Sequence, residues 1–246
     1  MAWLLAAALA GGCDAKMAPD GSAHARKRVR TADPLVRRHM TIGRSVRGRP
    51  IIAVEVGDPD APVRTLVVGV IHGDETAGRA ITRRLQRSRP TRESALWIVD
   101  ELNPDGVARH TRQNAHGVDL NRNFPWRWRP IGRPGDQQYS GAAPLSEPES
   151  RAAYRLIVAV RPRITIWFHQ PLAVTDRSGG DVRVERRFAG LSGLPLRRLA
   201  RYPGSAAGWQ NHALATSTAF VVELPAGRPP PGAVRRYESA VLGVAR

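Results

Sequence analysis

His72 and Glu75 stand three residues apart in Ile71-His72-Gly73-Asp74-Glu75-Thr76, directly after the apolar run 66–71. An imidazole and a carboxylate at this spacing form a two-ligand clamp suited to Zn²⁺. A catalytic zinc needs a third protein ligand and one open position for water. Taken alone, an H-x-x-E pair is more often a chance pairing in a loop. Two further apolar segments change that balance: Ile164-Thr165-Ile166-Trp167-Phe168-His169 ends in a histidine, and Ala219-Phe220-Val221-Val222-Glu223-Leu224-Pro225 carries one carboxylate near its end. Singly, His169 reads as a hydrogen-bonded core histidine and Glu223 as the buried partner of an arginine. An unpaired carboxylate in such a run costs several kcal/mol unless it is put to use. Together, three strand ends that supply His, Glu, His and a second Glu read as a site.

The elements that must carry these residues follow from the apolar pattern. Segments 39–46 and 50–56 read as a hairpin turned at Arg47-Gly48-Arg49, and Asp58-Pro59-Asp60-Ala61-Pro62 breaks the chain after it. Segment 65–71 reads as a buried strand, 76–86 as a helix behind the clamp, and 96–99 as a short strand. Asn103-Pro104-Asp105-Gly106 reads as a turn, and 109–138 has little regular period. Segment 147–160 reads as an amphipathic helix entered through Ser146-Glu147-Pro148; 164–168 and 218–224 are the other site-bearing strands, and 232–244 is a closing helix. No internal repeat is visible. Alternating strands and helices predict an α/β fold, with a mixed, largely parallel central sheet flanked by helices in three layers. In such sheets the site sits at the C-terminal edge of the strands.

Five strings occur in an order that resembles the M14-type zinc carboxypeptidases, particularly the small bacterial branch that includes the murein peptide amidases. They are His72-Gly73-Asp74-Glu75, Asn103-Pro104-Asp105-Gly106, Gly117-Val118-Asp119-Leu120-Asn121-Arg122-Asn123-Phe124-Pro125, Phe168-His169-Gln170 and Val222-Glu223-Leu224-Pro225. The resemblance runs from about Thr41 onward and implies roles. His72, Glu75 and His169 would bind one zinc, and Glu223 would be the general base that moves a proton from water to the leaving amine. Arg112 matches the arginine that polarises the scissile carbonyl and steadies the oxyanion. Asn121 and Arg122 match the pair that grips the substrate's terminal carboxylate. Tyr202, in Tyr202-Pro203-Gly204-Ser205-Ala206-Ala207-Gly208-Trp209, has the order of the family's mobile tyrosine and its Gly/Ser-rich turn, with a shorter turn. Ala206, Ala207 and Gly208 add neither charge nor bulk, which disfavours a basic-residue pocket built on an acid at that point.

Composition bounds the rest. The chain has 246 residues, enough for one sizeable α/β domain. Residues 1–13 read as an export signal: 1–12 are apolar and rich in Ala and Leu, without the usual basic start, and Cys13 follows Leu9-Ala10-Gly11-Gly12 in the manner of a lipoprotein cleavage site. A single cysteine excludes an intrachain disulfide. Residues 14–36 read as a basic, flexible tether and 37–246 as the catalytic domain. The formal net charge is +17, and Lys16 and Lys27 are the only lysines among 38 basic residues. Such a surface is drawn to polyanions. No helix-turn-helix, zinc finger or aromatic RNA-binding strand is present, so specific nucleic-acid binding is not expected. An anionic cell wall or membrane surface is the expected partner, with the enzyme periplasmic, lipid-anchored or secreted.

The expected activity is zinc-dependent hydrolysis of a peptide bond next to a residue with a free terminal carboxylate. The resemblance points to the γ-D-Glu–diaminopimelate bond of cell-wall stem peptides. A general metallocarboxypeptidase and an N-acyl amino acid deacylase of the desuccinylase or aspartoacylase kind share the zinc set. A catalytically dead wall-binding lipoprotein is the alternative of another class, disfavoured because His72, Glu75, His169 and Glu223 are all present.

Overall fold

In the computed structural model, residues 36–245 are described; the expected export signal, Cys13 and the tether up to residue 35 lie outside them. Strand β1 (Val36–Arg44) turns into β2 (Pro50–Gly57), and β3 (Val63–Val68) leads through α1 (Gly78–Leu85) to β4 (Ser94–Val99). Helices α2 (Pro104–Arg109) and α3 (Pro148–Val160) flank a long irregular segment that holds a single 3₁₀ turn, Leu120–Arg122. Strand β5 (Ile164–His169), strand β6 (Leu172–Asp176), helix α4 (Val182–Ser192) and the two-residue strand β7 (Leu196–Arg197) follow. Helix α5 (Ala206–Ala213), strand β8 (Thr218–Pro225) and helix α6 (Pro231–Val244) complete the order.

The eight strands form one sheet in the order β1-β2-β4-β3-β5-β8-β6-β7. Strands β4, β3, β5 and β8 run parallel at its centre, while β1, β2 and β6 join through antiparallel pairings. Alternate side chains of the central strands face opposite layers, as the two-residue period of a strand requires. Val67, Ile166, Phe168, Phe220 and Val222 pack in one core with Ile81, Phe188, Tyr237 and Val241 of α1, α4 and α6. Leu66, Val68, Trp167 and Ala219 pack in a second core with Ala152, Leu156 and Ile157 of α3 and with Ala206 and Trp209 at α5. The expected three-layer α/β architecture is therefore present.

This topology places the site. From β3 the chain crosses one way to β4 and later the other way to β5, so a crevice opens between the C-terminal ends of β3 and β5. Open α/β sheets bind ligands at such a switch point.

Four expectations need correction. The strand expected over 65–71 ends at Val68; Val70 leaves the ladder but still accepts from Leu102 N at 2.8 Å, so the chain stays extended toward His72. The helix expected from residue 76 begins at Gly78, which lies against the carbonyl of Gly69 and the Cβ of Phe168. Asn103-Pro104-Asp105-Gly106 is not a free turn but the start of α2. Asn103 caps Gly106 N at 2.9 Å, and Pro104 occupies the first turn, where its missing N–H costs nothing. The small-residue segment after Ser205 is likewise the first turn of α5 rather than a loop.

Candidate metal centre

Each site residue arrives on a strand end or on a loop pinned to one. His72 follows β3 and its side chain is buried; His169 is the last residue of β5. Glu75 is held near both by the tight turn His72–Glu75, closed by Glu75 N donating to His72 O at 3.1 Å. That turn lies against α2, because a Cβ on Gly73 would collide with the Gly106 backbone. Gly73 thus leaves room for the main chain of α2, while Gly106 leaves room for the Asn103 side chain and the Gln113 carbonyl. Gln170 ties the strand ends together. Its backbone N donates to Glu75 Oε2 at 3.1 Å, its side-chain oxygen accepts from Ala77 N at 2.9 Å, and its Nε2 donates to Pro225 O and Gly227 O.

The three side chains converge. His72 Nδ1 lies 2.9 Å from Glu75 Oε1, His169 Nδ1 lies 2.9 Å from Glu75 Oε2, and the two Nδ1 atoms are 3.1 Å apart. Two buried imidazole nitrogens so close need a proton or a cation between them. One ligand atom from each residue falls within 4.8 Å of the others. With zinc–ligand lengths near 2.0–2.1 Å, the edge of a tetrahedral site is about 3.3 Å. The donor set and spacing therefore fit a zinc ion with small adjustments.

Asp119, to which the sequence reading gave no role, belongs to the same assembly. With Nδ1 of His72 turned to the centre, Nε2 donates to Asp119 Oδ1 at 2.9 Å, a carboxylate–histidine pair of the kind that orients a metal ligand. Burial alone would lower the His72 pKa, but the carboxylates of Asp119 and Glu75 outweigh it and raise it to about 9. Burial would raise Glu75 and Asp119 in turn. The histidines hold Glu75, and His72 with Arg112 and Arg122 hold Asp119, well below the usual carboxylate range.

The cationic residues line the same cavity of about 470 Å³, which His72, Glu75, His169 and Glu223 also face. Arg112 donates through Nε and Nη2 to Asp119 Oδ2, at 3.1 and 2.9 Å, and through Nη1 to Glu75 Oε1 at 2.9 Å. Arg122 is buried and donates through Nη1 to the carbonyl of Asn121 at 2.9 Å, while its Nε has no hydrogen-bond partner among the described residues. Burial lowers the Arg122 pKa and Asp119 only partly opposes it, so this cation is under-compensated. The Asn121 side-chain oxygen accepts from Ala206 N at 3.0 Å, which leaves its amide protons for the cavity. The Tyr202 ring lies over the Arg122 guanidinium at 4.1 Å and is 43 % exposed. Its loop is fixed where Gly204, at φ +71°, packs against the Arg122 carbonyl.

Glu223 pairs in register with His169 on the neighbouring parallel strand, and among the described residues its Oε2 accepts only a long bond of 3.5 Å from Leu172 N. Burial raises its pKa, with the Glu75 charge adding and His169 opposing. All eight residues singled out in the sequence are thus brought to one cavity.

Similarity to known proteins agrees with this geometry. The Zinc carboxypeptidase family model matches residues 24–171, more than half of the chain. The chain belongs to the zinc carboxypeptidase family. The match covers His72, Glu75, Arg112, Asn121, Arg122 and His169 and ends before Tyr202 and Glu223. Murein peptide amidase A of Escherichia coli K12 is 33% identical over 153 residues, 54% of this chain and 60% of that protein. This zinc carboxypeptidase family member therefore spans less than two thirds of the curated relative's length. Among solved structures, the murein-tripeptide amidase of Escherichia coli O157 superposes with a TM-score of 0.67 at 28% identity, covering 85% of this chain and 91% of that one. The carboxypeptidase A of Helicoverpa armigera shares the fold, with a TM-score of 0.73 at 19% identity over 85% of this chain and 68% of that one.

Proposed function

We propose that the protein is an exported zinc-dependent carboxypeptidase or amidase that hydrolyses the γ-D-Glu–diaminopimelate bond of cell-wall stem peptides. The observation that carries the reading is one cavity that holds a His–Glu–His set, a carboxylate of raised pKa and a buried arginine lacking full compensation. The names of the two murein amidase relatives support the substrate, and the net charge of +17 and the apolar residues 1–12 support export toward an anionic wall.

His72, Glu75 and His169 would hold the zinc, which would supply Lewis-acid polarisation and a water of lowered pKa. Arg122, with Asn121, binds the free carboxylate of the departing residue through charge-assisted bonds. This fixes the scissile carbonyl beside Glu223 and Arg112. Glu223 takes the proton of the attacking water and passes it to the leaving nitrogen; burial raises its pKa and so strengthens it as a base. Arg112, already aligned by Glu75 and Asp119, donates to the oxygen on which charge develops. Tyr202, stacked on Arg122 at the mouth, closes over the bound residue.

The test is incubation of the zinc-loaded protein with L-Ala-γ-D-Glu-diaminopimelate beside an ordinary L-peptide, with products read by mass. Release of diaminopimelate is the expected result. Cleavage of the L-peptide alone would make it a general carboxypeptidase, and cleavage of neither would refute the reading.

A further inference from the structure

The cavity contains an ion pair that substrate gripping and proton transfer leave unused. Asp176, the last residue of β6, is 4 % exposed and saturated from inside the protein: Leu199 N donates to Oδ1 at 2.8 Å, and Ser178 Oγ and Arg201 Nη1 donate to Oδ2 at 2.6 and 2.7 Å. Ser178 is fixed in its turn, since its Oγ accepts from Val221 N at 3.1 Å and its backbone N donates to buried Glu185 at 2.8 Å. Arg201 is 40 % exposed and lines the cavity; among the described residues its Nε and Nη2 have no protein partner. A ligand entering here therefore meets a guanidinium held by a buried carboxylate, not the carboxylate itself. The lining also includes the small residues Ala207 and Gly208 and the apolar Val221.

We propose that Arg201, positioned by Asp176, selects a departing residue whose side chain ends in a carboxylate, either alone or beside an amine. The inference rests on the carboxypeptidase reading for the identity of its ligand, the residue whose α-carboxylate Arg122 holds. A guanidinium with free donors in a partly enclosed cavity binds a carboxylate through charge-assisted bonds. A purely basic side chain would face the same cation and be repelled. Asp176 could attract that side chain only by giving up Arg201. The pocket thus inverts the preference that a free aspartate would create.

Two readouts test this on the full chain loaded with zinc. Calorimetric binding of free L-2-aminoadipate, L-norleucine and L-lysine reports on the pocket without turnover; kcat/KM for γ-D-Glu peptides ending in the same three residues reports on it during turnover. The expected order is aminoadipate, then norleucine, then lysine, with about a tenfold or larger gap at the first step, as one charge-assisted contact predicts. Arg201→Met should abolish that gap and leave norleucine within about twofold, which also shows that the variant is folded. If Arg201→Met weakens norleucine as well, the double variant Asp176→Asn/Arg201→Met removes the unpaired buried charge, and the same comparison decides. A preference for lysine, or an aminoadipate gap that survives loss of Arg201, overturns the proposal. Ordered binding with no peptide cleaved would sink the hydrolase reading and leave this one standing; cleavage with no order among the three does the reverse.

Discussion

Residue types carry the chemistry of this protein, and three of them give direct tests. Glu223→Gln keeps shape and hydrogen bonding but removes the basic oxygen. It should retain zinc by metal analysis while kcat falls by about 10²–10⁴-fold; a near-normal rate would rule out Glu223 as the base. Asp119→Asn leaves all three metal-facing side chains in place but exchanges the charged acceptor that fixes the His72 ring for a neutral one. Competition with a chelator should show zinc affinity reduced by roughly 10–100-fold, and unchanged affinity would make Asp119 a purely structural group. Arg122→Ala should damage cleavage of peptides with a free terminal carboxylate far more than cleavage of their amides. Because mutation and amidation would remove the same contact, their penalties in kcat/KM should combine to much less than the sum. Full additivity would place Arg122 elsewhere in the reaction. His72, Glu75, His169 and Glu223 were legible because few side chains can chelate or move a proton, and each stood out at the end of an apolar run. Asp119 was not, since 47 residues separate it from His72 and only folding shows that they meet. The Asp176–Arg201 pair was hidden in the same way, its members 25 positions apart in the sequence.

At the scale of elements, helix α2 joins the hairpin to the site. Asp105 in its first turn is buried, accepts from Arg47 N at 2.9 Å and pairs with Arg49, so the β1–β2 turn is fastened to the helix that supports Gly73. Burial alone would raise the Asp105 pKa; the Arg47 backbone bond and the Arg49 pair outweigh it, and the folded value lies below the ordinary one. A depressed carboxylate contributes stability above its unfolded pKa and loses it as pH falls through the folded one. Asp105→Asn should therefore lower stability near neutrality by about 1–3 kcal/mol, and its denaturation midpoint should converge with the wild type as pH drops below the usual carboxylate range. A difference that persists undiminished in acid would deny the carboxylate this role. Element prediction succeeded where burial was one-sided or complete: β3, β5, β8, α3 and α6 all sit on strong apolar patterns. It missed β6, α4, β7 and α5. Strand β6 lies near the sheet edge with Leu172 exposed, α4 carries three arginines among its eleven residues, and α5 opens with Ala-Ala-Gly, which looks like a turn until its Trp209 is seen in the core.

For the molecule as a whole, the +17 charge is an electrostatic property separable from the site. Attraction to a polyanionic surface is screened over about 8 Å at physiological salt. Sedimentation with anionic cell-wall fragments should therefore weaken by about an order of magnitude or more between low and moderately high salt, whereas hydrolysis of a small soluble peptide should change little. Salt-insensitive sedimentation would point instead to a specific docking site. The fold class could be read from the alternation of elements, but the strand order could not, because the crossing from β3 to β4 on one side and to β5 on the other leaves no local trace.

The pairing of His169 with Glu223 has a consequence for what this chain can tolerate. Glu223, the proposed base, and His169 stand opposite each other on neighbouring strands, separated by an interstrand spacing of about 4.8 Å. The backbone, rather than any adjustable loop, therefore measures the gap between them. Because facing alternates along a strand, losing one residue between Thr218 and Val222 would turn Glu223 to the opposite layer if the rest of β8 kept its pairing. Length changes should thus accumulate in the outer loops and vanish from β5 and β8, where the active geometry is counted in whole residues.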